Sequence, residues 1–185
     1  MQEATDEELM QAYRDGNARA FETLYARHKG ALFRFMLRSC RTRAIAEELF
    51  QEAWLRVIHA RNGYQPSAKF STWLYHIASN LLIDHYRRNG KWDEYLEDDA
   101  DAVLCVAAAT FEQPELRAHA NAQIRRLLEC LAQLPAPQRQ AFLLKEEAGL
   151  AIEEIAGTLG AGREAIKSRL RYAVQKLRDC MGELL

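Results

Sequence analysis

Helical periodicity is the feature of this sequence that most restricts its fold. Apolar residues recur nearly everywhere at spacings of three and four, and no segment shows the convincing alternation that is typical of a strand. Turn signals at Asp15-Gly16-Asn17, Pro135-Ala136-Pro137 and Gly160-Ala161-Gly162 divide the pattern into segments. We therefore predict an all-α protein.

Local signals place the ends of several helices. Thr5-x-x-Glu8 is a capping box that begins a first helix, and Pro114 can occupy the first turn of another. The periodic segments predict further helices at about 44–61, 71–89, 114–134, 137–148, 151–159 and 163–180.

The charge distribution divides the chain into three parts. The net charge is −1, but residues 1–90 carry 13 basic and 10 acidic side chains, residues 91–117 carry 2 and 8, and residues 118–185 carry 10 and 8. Residues 90–113 also interrupt the helical pattern. We therefore predict two small helical domains, 1–90 and 114–185, joined by a flexible acidic linker at 91–113.

The last two predicted helices have the pattern of a helix-turn-helix. Ile152, Ile155 and Leu159 give the first helix one apolar face, and Gly160-Ala161-Gly162 forms the turn. The second helix is expected to bury Ile166, Leu170, Ala173, Val174 and Leu177. Its exposed residues would reach base edges or phosphates in a major groove: Arg163, Glu164, Lys167, Ser168, Arg169, Arg171 and Lys176. An ordinary helical hairpin with solvated charges would give the same pattern.

Two helices of the N-terminal half carry mixed outer faces. The helix at 44–61 has Glu48, Gln51, Glu52, Leu55 and His59 opposite an apolar arc that includes Leu49, so a solvated face and a partner surface are both possible. The helix at 71–89 is expected to display Thr72, Tyr75, His76, Ser79, Asn80 and Arg87.

Several functional classes lack support. The four cysteines form no CxxC pair or zinc-finger spacing, so free and mostly buried thiols are expected. The sequence contains no HExxH motif, P-loop or glycine-rich phosphate cradle, and no secretory signal or membrane span. We expect a soluble cytoplasmic protein that is not an enzyme and has no catalytic residue, metal or cofactor.

Two ordered blocks of residues resemble the sigma-70 family. The C-terminal block is Leu134-Pro135-x-x-Gln138-Arg139-x-x-Phe142-Leu143-Leu144-Lys145, then Glu153-Glu154-Ile155-Ala156-x-x-Leu159-Gly160 and Ile166-Lys167-Ser168-Arg169-Leu170. The N-terminal block includes Ala46-Glu47-Glu48-Leu49-x-Gln51-Glu52 and Phe70-Ser71-Thr72-Trp73-Leu74-Tyr75-x-Ile77-Ala78-x-Asn80. With only these regions and a short linker, the chain is similar to the extracytoplasmic-function (ECF) group.

This resemblance implies three surfaces and three partners. The polymerase contact would comprise Glu48, Leu49, Gln51, Glu52 and Leu55. The minus-ten element would be opened and read by Tyr64, Lys69, Phe70, Thr72, Trp73, His76, Asn80, Arg87 and Arg88. The minus-thirty-five element would be read by Arg163, Glu164, Lys167, Ser168, Arg169 and Arg171. The implied partners are core RNA polymerase, promoter DNA and an anti-sigma factor.

Other interpretations remain open at this point. Phe70 and Trp73 could be core residues, and the acidic linker could be a solvated tether or a mimic of nucleic acid. A helix-turn-helix regulator that acts without polymerase is the main alternative, followed by a nucleic-acid enzyme and a helical adaptor. Ala151-Ile152 and Arg163-Glu164-Ala165 depart from the usual family residues, so a good helix cap is missing and promoter specificity is not implied.

Overall fold

The structure is a computed structural model that describes residues 4–89 and 114–182. These ranges contain eight α-helices and a short 3₁₀ turn at Arg61–Gly63, with no strand among the described residues. The helices are α1 (Asp6–Arg14), α2 (Ala18–Ser39), α3 (Arg43–Ala60), α4 (Phe70–Arg88), α5 (Pro114–Ala132), α6 (Ala136–Glu146), α7 (Ile152–Leu159) and α8 (Arg163–Met181). The prediction of an all-α protein is confirmed, whereas the linker at 91–113 and Cys105 lie outside the described residues.

Side-chain caps explain where several helices begin and end. The Thr5 N–H donates to the Glu8 carboxylate at 2.8 Å, and the Glu8 N–H donates to the Thr5 hydroxyl at 3.2 Å, which completes the predicted capping box. Helix α7 lacks a side-chain acceptor at Ala151, but the carboxylate of Glu154 accepts from the Ala151 N–H at 2.7 Å. Gly160 ends α7 with a φ of +60°, a conformation that glycine adopts without steric cost.

The N-terminal half packs α1 to α4 around large apolar side chains. The largest fully buried ones include Leu24, Phe35, Met36, Leu74 and Leu82. Tyr75 and Ser79 are also buried, so their predicted display on the outer face of α4 is wrong. The reason is that α4 contacts α1, α2, α3 and α7, and a helix covered on several sides has little outer face left.

The C-terminal half is closed by a covalent bond. Cys130 on α5 and Cys180 on α8 form a disulfide with their Cα atoms 5.9 Å apart, within a small cluster that includes Leu131, Leu134 and Leu177. The expectation of free thiols is therefore wrong for this pair, whereas Cys40 is a free thiol.

One apolar prediction for α8 also fails. Val174 is 44% exposed, although Ala173 and Leu177 on the same helix are buried. Helix α8 packs against α5, α6 and α7, and Val174 lies outside the arc that these contacts cover.

The two halves contact each other through α2 with α6 and through α4 with α7. Arg34 of α2 donates to the Glu147 carboxylate at 3.1 Å, and Arg38 pairs with the same carboxylate. A cluster of buried residues runs from Met10 in α1 to Ile166 in α8. The arrangement places α7 against the predicted minus-ten surface.

Candidate nucleic-acid interface

The predicted polymerase contact lies on the outer side of α3. Glu48 and Gln51 are exposed, and Leu55 is 47% exposed among them. Leu49 is 3% exposed and belongs to the core, so its side chain supports the helix from inside. The exposed residues line a shallow groove whose opposite wall is formed by His85 and Arg88 of α4. Helix α3 therefore presents one large exposed apolar side chain surrounded by polar groups.

The aromatic residues before and at the start of α4 pack as a connected group. Tyr64 is 4% exposed and Phe70 is fully buried, so in this conformation their rings lie inside the protein. The Trp73 ring centroid lies 5.0 Å from that of Tyr64 and 5.9 Å from that of Phe70. Trp73 is only partly buried, so its ring bridges between the core and the surface.

Polar residues continue along the same side of α4. His76 is exposed, and its imidazole shares a hydrogen bond with the Asn80 amide at 3.1 Å. Lys69 is exposed before the helix, and Arg87 and Arg88 are exposed in its last turn. These residues combine a partly exposed ring, an amide and cations along one helix, which are the groups that bind unstacked bases and phosphates.

Helix α7 borders this side of α4 and forms a groove with it. The groove is lined by Tyr64, Gln65, Ser67, Ala68, Thr72, Trp73 and His76 from one side and by Glu154, Gly157 and Thr158 from α7. The Thr72 hydroxyl donates to the Glu154 carboxylate at 2.8 Å. Part of the predicted minus-ten surface is therefore engaged with α7.

The predicted minus-thirty-five residues lie on the free side of α8. Arg163, Glu164, Lys167 and Arg171 are exposed, while Ser168 and Arg169 are partly buried. Lys167 donates to Glu164 at 2.8 Å, and this hydrogen bond lowers the pKa of the Glu164 carboxyl. The guanidinium of Arg171 lies 5.2 Å from the ring centre of Tyr172, an exposed residue that the sequence pattern did not single out.

Burial shifts the ionisation of several groups near these surfaces. It raises the pKa of Tyr64 to about 12, with the nearby carboxylates of Glu7 and Asp6 acting in the same direction. Burial also raises the pKa of Tyr75 and of the Cys40 thiol to about 12. These groups are therefore uncharged at neutral pH.

Three acidic residues with structural roles near the site were missed by the sequence patterns. Glu7 accepts from the Phe70 N–H, Glu154 bonds Thr72, and Glu147 pairs with two arginines. Each contact joins residues more than 60 positions apart, so no local spacing reports it. Of these three residues, Glu154 alone belongs to a string that the sequence analysis quoted, Glu153-Glu154-Ile155-Ala156. That string indicated a family resemblance and did not predict the contact with Thr72.

Neither a metal nor a membrane site is found in the described ranges. Within residues 4–89 and 114–182, no group of three or more His, Cys, Asp and Glu side chains could hold a metal ion. The helices in the same ranges lack the combination of length and apolar character that a membrane span requires.

Comparison with known proteins agrees with the two halves of the fold. The family profile for sigma-70 region 2 matches residues 24–91, and the profile for sigma-70 region 4 matches residues 124–177. RNA polymerase sigma factor CarQ of Myxococcus xanthus is 36% identical, over 95% of this chain and 97% of its own length. ECF RNA polymerase sigma factor SigE of Mycolicibacterium smegmatis is 33% identical, over 89% of this chain and 62% of its own length.

Solved structures share the helical fold. CnrH, in complex with the cytosolic domain of CnrY, has a TM-score of 0.68 at 23% identity, covering 97% of this chain and 99% of its own. The sigma factor RpoE of Bartonella quintana, in complex with the anti-sigma factor NepR, has a TM-score of 0.71 at 20% identity, covering 89% and 98%. The chain therefore belongs to the sigma-70 family, in its ECF group, and is an alternative sigma factor that directs core RNA polymerase to promoters and initiates transcription.

Proposed function

We propose that this sigma factor uses three separate surfaces, each carried by a different helix. The observation that carries the proposal is that α3, α4 and α8 each present exposed or partly exposed side chains from one of the predicted sets. Glu48, Gln51, Glu52 and Leu55 bind core polymerase, and Leu49 holds that surface from within. The apolar side chain at the centre supplies buried area, and the surrounding polar groups set orientation.

The minus-ten surface of α4 binds an unpaired strand. Trp73 supplies a stacking ring, Asn80 and His76 supply hydrogen bonds to a base edge, and Lys69, Arg87 and Arg88 contact phosphates. Thr72 completes the surface once its bond to Glu154 is released. Tyr64 and Phe70 form the inner wall of this surface and reach a base only if it enters between α4 and the loop before it. Stacking of this kind is worth about 1–3 kcal/mol per base.

The minus-thirty-five surface of α8 enters a major groove. Arg163, Glu164, Lys167 and Arg171 face the base edges, and Ser168 and Arg169 lie beside them near the backbone. Arginine can form a bidentate pair with guanine, and glutamate can accept from cytosine N4. The mixed charge favours sequence reading over phosphate contact alone.

Use of both DNA surfaces requires the halves to act as separate domains, 1–90 and 114–185. The family profiles match each half separately, at residues 24–91 and 124–177, which supports this division. Separating the halves would exchange the polar contacts of Glu154 and Glu147 for water and would expose part of the apolar cluster that the halves share. On polymerase, α7 leaves α4 and the acidic segment at 91–113 spans the distance between the two promoter elements.

We also propose that an anti-sigma factor binds this chain and that it acts in the cytoplasm. The support is that CnrH is in complex with the cytosolic domain of CnrY and that RpoE is in complex with the anti-sigma factor NepR. A partner of that kind would control access to the surfaces on α3 and α4.

Run-off transcription on fragmented genomic DNA tests the assignment of surfaces. Purified core polymerase is used with the wild-type chain, with Leu55→Glu, with Asn80→Ala and with Arg171→Ala. We expect discrete transcripts that share two upstream elements with the wild type. Leu55→Glu should abolish all of them through loss of polymerase binding, whereas the other two should weaken particular promoters. Unchanged transcription with all three variants would refute the assignment.

A further inference from the structure

A carboxylate from α1 caps the helix that carries the proposed minus-ten surface. The backbone N–H of Phe70 donates to the Glu7 side chain at 2.7 Å, across 63 positions of sequence. Glu7 lies outside the segment, residues 24–91, that matches sigma-70 region 2. The contact therefore joins a helix outside that match to the first residue of α4.

The bond replaces a cap that α4 does not have from its own sequence. Phe70 is the first residue of α4, so its N–H has no acceptor within the helix, and Lys69 in the N-cap position makes no side-chain cap. The first backbone hydrogen bond of α4 is donated by the Trp73 N–H to the Lys69 carbonyl at 3.2 Å. A carboxylate at this end also interacts favourably with the helix dipole. Glu7 therefore orders the turn that presents Thr72 and Trp73.

Helix α1 is itself held firmly at this point. Asp6 accepts from the Arg27 guanidinium of α2 at 2.8 Å and pairs with His28. The His28 ring packs against the Phe70 ring with their centroids 5.2 Å apart. Asp6, His28, Phe70 and Glu7 thus form a closed set of contacts between α1, α2 and α4. Because α1 is anchored to α2, Glu7 holds the start of α4 relative to the rest of the N-terminal half.

We propose that Glu7 is a positioning residue for minus-ten recognition, through its hydrogen bond to the start of α4. This inference rests on the proposed function of the α4 surface. Without the bond, the first turn of α4 frays, and Thr72 and Trp73 spend less time in the geometry that receives a base. The measured affinity is then reduced in proportion to the fraction of molecules that still has the competent geometry.

Three substitutions at position 7 separate hydrogen bonding from charge. Glu7→Gln keeps an acceptor at the same reach without charge, Glu7→Asp keeps the charge but shortens the reach, and Glu7→Ala removes both. Glu8→Ala is the matched control, because Glu8 is the neighbouring carboxylate and its hydrogen bonds to Thr5 cap α1 itself. Asn80→Ala and Trp73→Ala test the α4 surface itself.

The measurement is the affinity of holoenzyme for a single-stranded oligonucleotide that carries the minus-ten element found by run-off transcription. We expect Glu7→Ala and Glu7→Asp to weaken binding by about five- to tenfold, the range of an N-terminal cap, and Glu7→Gln by less than twofold. All three Glu7 variants should keep wild-type affinity for core polymerase and for minus-thirty-five duplex. Glu8→Ala should keep wild-type affinity for the oligonucleotide.

Several results would overturn the inference. Loss with Glu7→Gln as large as with Glu7→Ala, or wild-type binding by Glu7→Ala, would exclude the hydrogen bond. If Glu8→Ala weakens oligonucleotide binding as much as Glu7→Ala does, Glu7 contributes to folding alone. The same conclusion follows if Glu7→Ala weakens binding to core polymerase and to minus-thirty-five duplex equally. Wild-type oligonucleotide binding by Asn80→Ala and Trp73→Ala would reject the proposed α4 surface. If these two variants bind more weakly but the Glu7 variants bind like the wild type, only the role of Glu7 is rejected.

Discussion

The hydroxyl of Thr72 on α4 donates to the carboxylate of Glu154 on α7 at 2.8 Å, across 82 positions of sequence. The same carboxylate caps α7 through the Ala151 N–H. These bonds, that of Ala151 first, lower the pKa of Glu154 from its ordinary 4.5. One acidic residue thus both begins the helix-turn-helix and joins it to the proposed minus-ten surface.

The lowered pKa of Glu154 predicts an acid-dependent loss of stability. A carboxyl whose pKa is depressed by folding stabilises the native state above its unfolded pKa, and this contribution is lost as the pH falls through the folded value. We expect Glu154→Gln to flatten the fall in the free energy of unfolding below about pH 4.5. Thr72→Val, which leaves the α7 cap in place, should flatten it less. Urea unfolding at several pH values measures both, and identical pH profiles in all three proteins would contradict the prediction.

Glu147 provides a second prediction about the junction of the halves. Its side chain is 9% exposed and pairs with Arg34 and Arg38, and burial lowers the pKa of Arg38. Glu147→Ala should cost about 1 kcal/mol of the free energy of unfolding, because Arg34 and Arg38, whose side chains are 52% and 27% exposed, can be hydrated when their partner is removed. The exposed pair Arg43–Glu47 is the matched control, and Arg43→Ala should cost about 0.5 kcal/mol or less. Equal costs in denaturant unfolding would show that the Glu147 pair is effectively solvated.

The disulfide predicts a redox-dependent stability. Cys130 and Cys180 are 50 positions apart, and closing a loop of that size stabilises a fold by about 2–4 kcal/mol. Cys130→Ser or added dithiothreitol should lower the midpoint of thermal unfolding in a Cys105→Ser background. Cys40→Ser is the control, since Cys40 is not bonded to another cysteine. A midpoint that is insensitive to reductant would contradict a stabilising role for the bond.

Leu55 and Leu49 predict opposite outcomes within one helix. Leu55→Ala should weaken binding to core polymerase by about tenfold, as expected for a central contact residue, and change stability by about 0.5 kcal/mol or less. Leu49→Ala should cost about 2–5 kcal/mol of stability, because it empties a buried site. Titration with core polymerase and denaturant unfolding measure the two effects. Unchanged polymerase binding by Leu55→Ala would place the contact elsewhere.

Arg171 and Lys176 of α8 should differ in the kind of DNA contact they make. Arg171→Ala should lower affinity for minus-thirty-five duplex and relax selectivity at one base pair, at a cost of about 1–3 kcal/mol. Lys176→Ala should weaken all duplexes alike and reduce the slope of affinity against salt by about 0.9. Equal loss of polymerase binding by Arg171→Ala would instead mean that this residue supports the fold.

The periodicity of the sequence determined the helices, and local chemistry determined their ends. Thr5 with Glu8, the Gly160 turn and the exposed cations at Arg163, Lys167 and Arg171 could all be predicted, because each depends on spacings of three or four residues. Two further blocks of residues resemble the sigma-70 family, and the profile matches to regions 2 and 4 confirm that resemblance. What these signals report is limited to one helix and the turn beside it.

Packing between helices decided the rest. The predicted burial or exposure was wrong for Tyr75, Ser79 and Val174. Which sides of α4 and α8 are covered depends on the neighbouring helices, and those neighbours are set by the whole fold. The pairing of Cys130 with Cys180, the cap from Glu7 to Phe70 and the bond from Thr72 to Glu154 join residues 50 to 82 positions apart. Such contacts form because distant helices meet, and no pattern within one helix encodes that meeting.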